Sequence, residues 1–173
     1  MTFTFEGAPP GTELNVGVYY SSEMYFGPIG PGNVLLSGPG RPGYATNGTG
    51  YLEIPDGNLA VLFTNTPTRY FNLLSFDAAE FDGFGPQTLT VVGYPGMSAP
   101  VTNYFTVSSL TFQTFYLDSS FTTISRFDVL NARWSLDNLV ISGVPEPSAA
   151  ALASVAAACA LVRRHRQRRS NAP

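Results

Sequence analysis

The chain has 173 residues, a formal net charge of −3, nine cations that are all arginine, one cysteine and one histidine. Cys159 and His165 both lie near the C-terminus, so residues 1–143 hold no Ser-His-Asp or Cys-His nucleophile system and no histidine-based zinc or iron site. Those residues carry four Arg against eleven carboxylates, a balance of −7, which argues against nucleic acid because phosphate binding needs clustered cations.

The body, residues 1–143, is long enough for one domain with a normal core. Thr2-Phe3-Thr4-Phe5-Glu6 alternates polar and apolar, and predicts a strand with Phe3 and Phe5 on one face. Pro9-Pro10 breaks it. Leu14 to Phe26 is an irregular aromatic stretch with Tyr19, Tyr20, Tyr25 and Phe26. Gly27 to Gly43 reads as a long loop carrying one edge strand at Val34-Leu35-Leu36. Tyr51 to Ile54 is a short strand closed by the turn Pro55-Asp56-Gly57. Leu59 to Asn65 and Tyr70 to Phe76 have the apolar content of central strands, and Gln87 to Tyr94 alternates. Tyr104 to Val107, Phe112 to Leu117, Ile124 to Leu130 and Arg133 to Ser142 follow at regular spacing. No stretch keeps a 3.6-residue apolar period. About ten short strands with turns between them predict an all-β body, a β-sandwich or jelly roll.

Three groups of residues in the body carry chemistry. Asp77, Glu80 and Asp82 lie close together and are the only carboxylate cluster that suggests glycoside hydrolysis, if they face one cleft; a solvated loop is the simpler expectation. Tyr19, Tyr20, Tyr25, Tyr44, Tyr51 and Trp134 could line a sugar platform by stacking on C–H faces. Of these, Tyr19, Tyr20 and Tyr44 are flanked by small residues and are the candidates for exposure, whereas Trp134 is expected in the core. With no His or Cys in the body, a bound metal must use oxygen ligands, which points to calcium.

From Pro147 to Val162 the chain is uncharged and rich in alanine, and Arg163, Arg164, Arg166, Arg168 and Arg169 follow. Alanine favours helix, and a basic cluster after an apolar run acts as a cytoplasmic stop. Sixteen residues span about 24 Å as a helix, slightly short of a bilayer core. With Val144, Pro145, Glu146 and Pro147 in front, the segment resembles the PEP-CTERM family of bacterial sorting signals: a V-P-E-P box (144–147), a single helix (about 148–162) and an Arg-rich end (163–169). The resemblance implies export, transient anchoring in the inner membrane, processing by an exosortase-type protease, and a final place at the cell surface or in the extracellular matrix. It covers the sorting tail, 144–173. Met1 to Glu6 reads at once as a strand, so an exported product is expected to draw its signal peptide from upstream of Met1.

The body also resembles the jelly-roll domains that precede such tails and look like carbohydrate-binding modules. The matching residues are Phe5-Glu6 with Pro10-Gly11-Thr12, and Trp134-Ser135-Leu136-Asp137-Asn138-Leu139, with Phe71–Phe81 and Gln87–Tyr94 as a central hairpin. The resemblance implies neighbouring first and last strands, with Glu6 and Asp137 helping to hold a structural calcium; the alternative is two ordinary strand-end carboxylates. The expected function is a non-enzymatic β-sandwich binding extracellular polysaccharide. The alternatives are a glycan hydrolase using the Asp77 cluster and a purely structural matrix protein.

Overall fold

The computed structural model describes residues 1–64 and 69–143, and all statements of structure concern those residues. The segment expected to serve as a sorting tail, 144–173 with its expected helix, lies outside them. Thirteen strands form: β1 (Thr2–Phe3), β2 (Glu13–Gly17), β3 (Tyr19–Ser21), β4 (Met24–Pro28), β5 (Val34–Ser37), β6 (Tyr51–Ile54), β7 (Leu59–Phe63), β8 (Phe71–Glu80), β9 (Gln87–Pro95), β10 (Val101–Val107), β11 (Gln113–Tyr116), β12 (Ile124–Leu130) and β13 (Trp134–Gly143). The one helical element among the described residues is a 3₁₀ turn, Ser119–Phe121, capped by the Asp118 side chain.

All pairings are antiparallel, and they build two layers. The first runs β2-β5-β6-β13-β8-β11, with β1 beside the far half of β13. The second runs β10-β9-β12-β7-β4-β3. A single bridge between Ile124 and Phe71 joins them. This is an all-β, jelly-roll-like sandwich. The first and last strands are neighbours as expected, with Phe3 opposite Leu139.

Between the layers lies an aromatic core. Phe76, 1% exposed, meets Phe105, Phe115 and Trp134 at centroid distances of 5.7, 5.7 and 6.1 Å. Phe5 and Phe26 meet edge-on at 5.2 Å, and Phe3 adds to them. Trp134 is fully buried, as its place on an alternating strand predicts. Within β13, the sequence Asn138 (φ 43°) to Val140 shifts the register against β8, so that Leu136, Leu139 and Ile141 all face inward.

Three expectations are corrected. Phe71–Phe81 and Gln87–Tyr94 do not form a hairpin, because β8 and β9 belong to different layers. Val34–Leu36 is not an edge, because β5 is flanked by both β2 and β6 and is buried throughout. The irregular aromatic stretch contains β2, β3 and β4, of which β3 and β4 form a tight hairpin through Ser22 (φ 46°) and Glu23 (φ 70°).

Candidate glycan-binding face

The two layers differ in what covers their outer faces. Residues 38–50, between β5 and β6, fold over the first layer. There Arg41 donates to Glu53 Oε1 and Oε2 at 3.0 and 2.8 Å and pairs with Glu13. Ser37 Oγ donates to Glu53 Oε1 at 2.6 Å. Glu53 has no exposed surface, and burial pushes its carboxyl above the ordinary range although Ser37 and Arg41 pull it down. Ala45, Tyr51 and Ala79 form a second small core under this strap, with Phe112 against it. Tyr44 is half-buried, with the Arg41 guanidinium 3.5 Å above its ring and Phe81 edge-on at 5.4 Å. The strap therefore covers the β5, β6 and β13 part of this outer face, and Tyr44 and Tyr51 are part of that closure, while Leu74 on β8 and Tyr116 on β11 stay exposed.

The outer face of the second layer has no such strap among the described residues. Strand register places five side chains in one row across five strands: Tyr20 opposite Tyr25, Tyr25 opposite Leu62, Leu62 opposite Arg126, and Arg126 opposite Tyr94. Four inter-strand gaps of about 4.8 Å make the row ~19 Å long. Period-2 alternation explains each outward position, since Met24 and Phe26, Val61 and Phe63, and Phe127 face the core. A register shift between Ile124 and Arg126 brings the arginine outward while Ile124 and Phe127 both stay inside.

Fourth in the row, next to Tyr94, Arg126 is fixed. Its Nε and Nη2 donate to Asp128 Oδ1 and Oδ2 at 2.6 and 2.8 Å, a two-pronged pair within one strand. Tyr94 Oη donates to Asp128 Oδ2 at 2.9 Å. The Asp128 hydrogen bond holds the guanidinium firmly protonated, and burial followed by Asp128 pushes the Tyr94 phenol up. Asp128 is buried, while Arg126 keeps 39% of its side chain exposed and lies 5.4 Å from the Tyr94 ring centroid. Beside the row, small residues keep the face low: Ala60 and Gly27 are register partners, and the Tyr25 ring lies over Gly27 where a Cβ would not fit. Tyr20 and Tyr25 meet edge-on at 5.6 Å, and Tyr20 is 61% exposed. The result is an open shelf with tyrosine rings at both ends and a fixed cation between them. Aromatic faces take the C–H side of a sugar ring, and the guanidinium N–H groups suit hydroxyl oxygens.

Of the residues singled out from sequence, Tyr20 and Tyr25 are on this shelf. Tyr19 is turned the other way, against Phe5 and Phe26 at 5.5 and 6.1 Å, because adjacent strand residues point to opposite faces. The carboxylates Asp77, Glu80 and Asp82 do not share a cleft. Asp77 faces out and accepts from Thr114 Oγ1 at 2.6 Å and Asn138 Nδ2 at 2.8 Å. Glu80 is buried opposite Trp134, and Asp82 pairs with Arg133 at 3.3 Å. Arg126, Asp128, Tyr94 and Leu62 were not singled out. The spacing Arg126-Phe127-Asp128 on an apolar strand was the readable signal.

Glu6 and Asp137 grip the same turn from two sides. Asp137, fully buried, accepts from Asn47 Nδ2 at 2.5 Å, Thr49 Oγ1 at 3.0 Å and Asn138 N at 2.8 Å. Glu6 Oε2 accepts from Gly50 N at 3.2 Å. Burial pushes the Asp137 carboxyl up, the three donors pull it down, and nearby Asp77 pushes it up again. Among the described residues no three His, Cys, Asp or Glu side chains come together as a metal cluster. A cation here would draw on Glu6, Asp137 and the oxygens of Asn47 and Thr49, which is the hard donor set calcium accepts.

No protein-family model and no curated protein matches the chain. Among solved structures, a xylan-binding domain from carbohydrate-binding module family 22 is similar at 16% identity, covering 74% of this chain and 96% of that one, with a TM-score of 0.46. The C-terminal family 22 module of Clostridium thermocellum Xyn10B is similar at 16% identity over 73% of this chain and 94% of that one, TM-score 0.45. The enzymatically active domain of bacteriophage CBA120 tailspike protein 4 is similar at 14% identity over 77% and 19%, TM-score 0.33. The fold and the shelf described above rest on the strand pairings and distances of this chain alone.

Proposed function

We propose that this chain is a non-enzymatic, exported β-sandwich that binds a neutral polysaccharide along the outer face of its second layer. The observation that carries the reading is the row Tyr20, Tyr25, Leu62, Arg126 and Tyr94, held in register across five strands with Arg126 clamped by buried Asp128. The Arg126–Asp128 pair carries no net charge, and the body is acidic, so an uncharged glycan fits better than an anionic one. Delivery is the role assigned to 144–173: the V-P-E-P box, the alanine-rich run and the five arginines support sorting through the inner membrane to the surface or matrix, with an exosortase-type protease as partner. Calcium at Glu6 and Asp137 belongs to the same reading. A buried carboxylate held only by neutral donors favours a nearby cation, and the ion would tie the segment after β1 to the last strand, β13.

The test is affinity electrophoresis of the full chain through gels containing neutral or anionic polysaccharides. Retardation in at least one neutral gel is expected, and it should disappear in Tyr25→Ala and Tyr94→Ala. Product release from any of these polysaccharides would replace binding with hydrolysis. A retardation that both variants keep would move the site elsewhere.

A further inference from the structure

The outer edge of the second layer is β10, and its composition is unusual for an edge. Exposed edge strands present unpaired N–H and C=O groups, and proteins ordinarily blunt them with charges, proline, bulges or brevity. The other edges follow that rule: β3 has three residues, β11 has four, and β2 carries Glu13 and a register irregularity. β10 has seven residues, Val101-Thr102-Asn103-Tyr104-Phe105-Thr106-Val107, with no charge, no proline and no glycine. It pairs with β9 in unbroken register along its whole length. On the side away from β9, no β10 main-chain group bonds to another backbone among the described residues. The Asn103 side chain reaches Asp118 at 3.2 Å, which leaves those main-chain groups open.

The segment also reads nearly the same in both directions. A two-fold antiparallel pair centred on Tyr104 puts Val101 opposite Val107, Thr102 opposite Thr106 and Tyr104 opposite itself. A two-fold interface must be self-complementary in this sense. Thr–Thr and aromatic pairs directly opposite are favourable, and Tyr104, 69% exposed, together with exposed Thr102 and Thr106 supplies them. Charge points the same way. Two acidic bodies repel, and an uncharged seven-residue edge lets them meet without like charges face to face.

We propose that β10 is the docking edge for a second copy of this chain, paired antiparallel about Tyr104. The six-strand layer then continues across the dimer. Its two-fold axis stands normal to the sheet, so both outer faces point the same way. The pairing does not depend on the glycan reading. If that reading holds, two shelves on one side give bivalent attachment to a polymer, with a gain from effective concentration rather than from new contacts.

Sedimentation velocity of the full chain over a range of concentrations tests the edge and its register together. The wild type should show a monomer–dimer equilibrium. Thr102→Lys with Thr106→Lys sets two Lys–Lys pairs across the interface and should weaken association about tenfold or more. Thr102→Lys with Thr106→Glu sets opposite charges across the same pairs and should retain the dimer. Emission from the single, buried Trp134 checks that each variant is folded. Equal association constants for all three proteins would overturn the proposal, whether they are all monomers or all associate through another surface. Loss of the dimer in both variants would overturn the Tyr104-centred register.

Discussion

Arg41 offers the sharpest test of how the first layer is closed. Its guanidinium bonds both oxygens of Glu53, pairs with Glu13 and caps the Tyr44 ring. Arg41→Met keeps most of the side-chain bulk and removes the charge. Glu53 has no exposed surface, so the variant leaves a buried carboxylate with Ser37 as its only hydrogen-bonding side chain. Breaking a buried pair on one side costs about 3–5 kcal/mol. Arg41 itself is 20% exposed and some water reaches the pair, which places the expected loss at the lower end, about 3 kcal/mol. For a domain of this size that is a fall in Tm of about 6–12 °C. Adding Glu53→Gln removes the stranded charge and should recover part of the loss. The pH dependence has a definite sign. The Glu53 carboxyl already lies above its ordinary value, and losing Arg41 removes an influence that lowers it. A folded-state value above the unfolded one means the folded form binds the proton more readily, so the variant's deficit should shrink as pH falls through its raised Glu53 value. Urea unfolding followed by Trp134 emission, from pH 7 downward, measures all of this. A deficit below about 1 kcal/mol that does not change with pH would refute the closure argument.

Calcium should raise the melting temperature of the full chain by several degrees relative to EDTA, by binding the folded state. Glu6→Gln and Asp137→Asn should each abolish that difference, and equal melting temperatures for the wild type in both buffers would remove the site. Phe76→Ala should cost about 3–5 kcal/mol in urea unfolding, because the ring contacts Phe105, Phe115 and Trp134 at once; a loss under about 1 kcal/mol would mean the core is not centred there. If the sorting proposal holds, removing Val144–Pro173 from the protein as its native host makes it should release the body from the membrane fraction, and identical fractionation of cut and intact chains would end that proposal.

The class of fold was legible because period-2 alternation and turn residues are local. Phe3 and Phe5, the turn after Ile54 and the burial of Trp134 all follow from a few adjacent residues. Sheet order is not local. Nothing in Phe71–Tyr94 says that the chain leaves one layer for the other after Glu80, and nothing in Val34–Leu36 says that a strand will lie on each side of it. The shelf was half-readable for the same reason. Tyr20 and Tyr25 flank a tight turn through Ser22 and Glu23, so their pairing could be read from six residues. Arg126 and Asp128 share a strand face by spacing alone. What joins them to Tyr94, Leu62 and Tyr25 is the register of β9, β12, β7 and β4, which is set by core packing on the opposite face of each strand. Tyr44, between Gly43 and Ala45, looked exposed; its ring is covered by the Arg41 guanidinium, which is held in turn by a glutamate twelve residues beyond the arginine.

The measurement that bears most directly on the central claim is amide chemical-shift mapping of the isotopically labelled full chain titrated with a neutral oligosaccharide from a retarding gel. Binding to the shelf predicts saturable shifts concentrated at Tyr20, Tyr25, Leu62, Tyr94 and Arg126, with the strap 38–50 unmoved. Shifts confined to the strap and the first layer, with the five-residue row silent, would contradict the account.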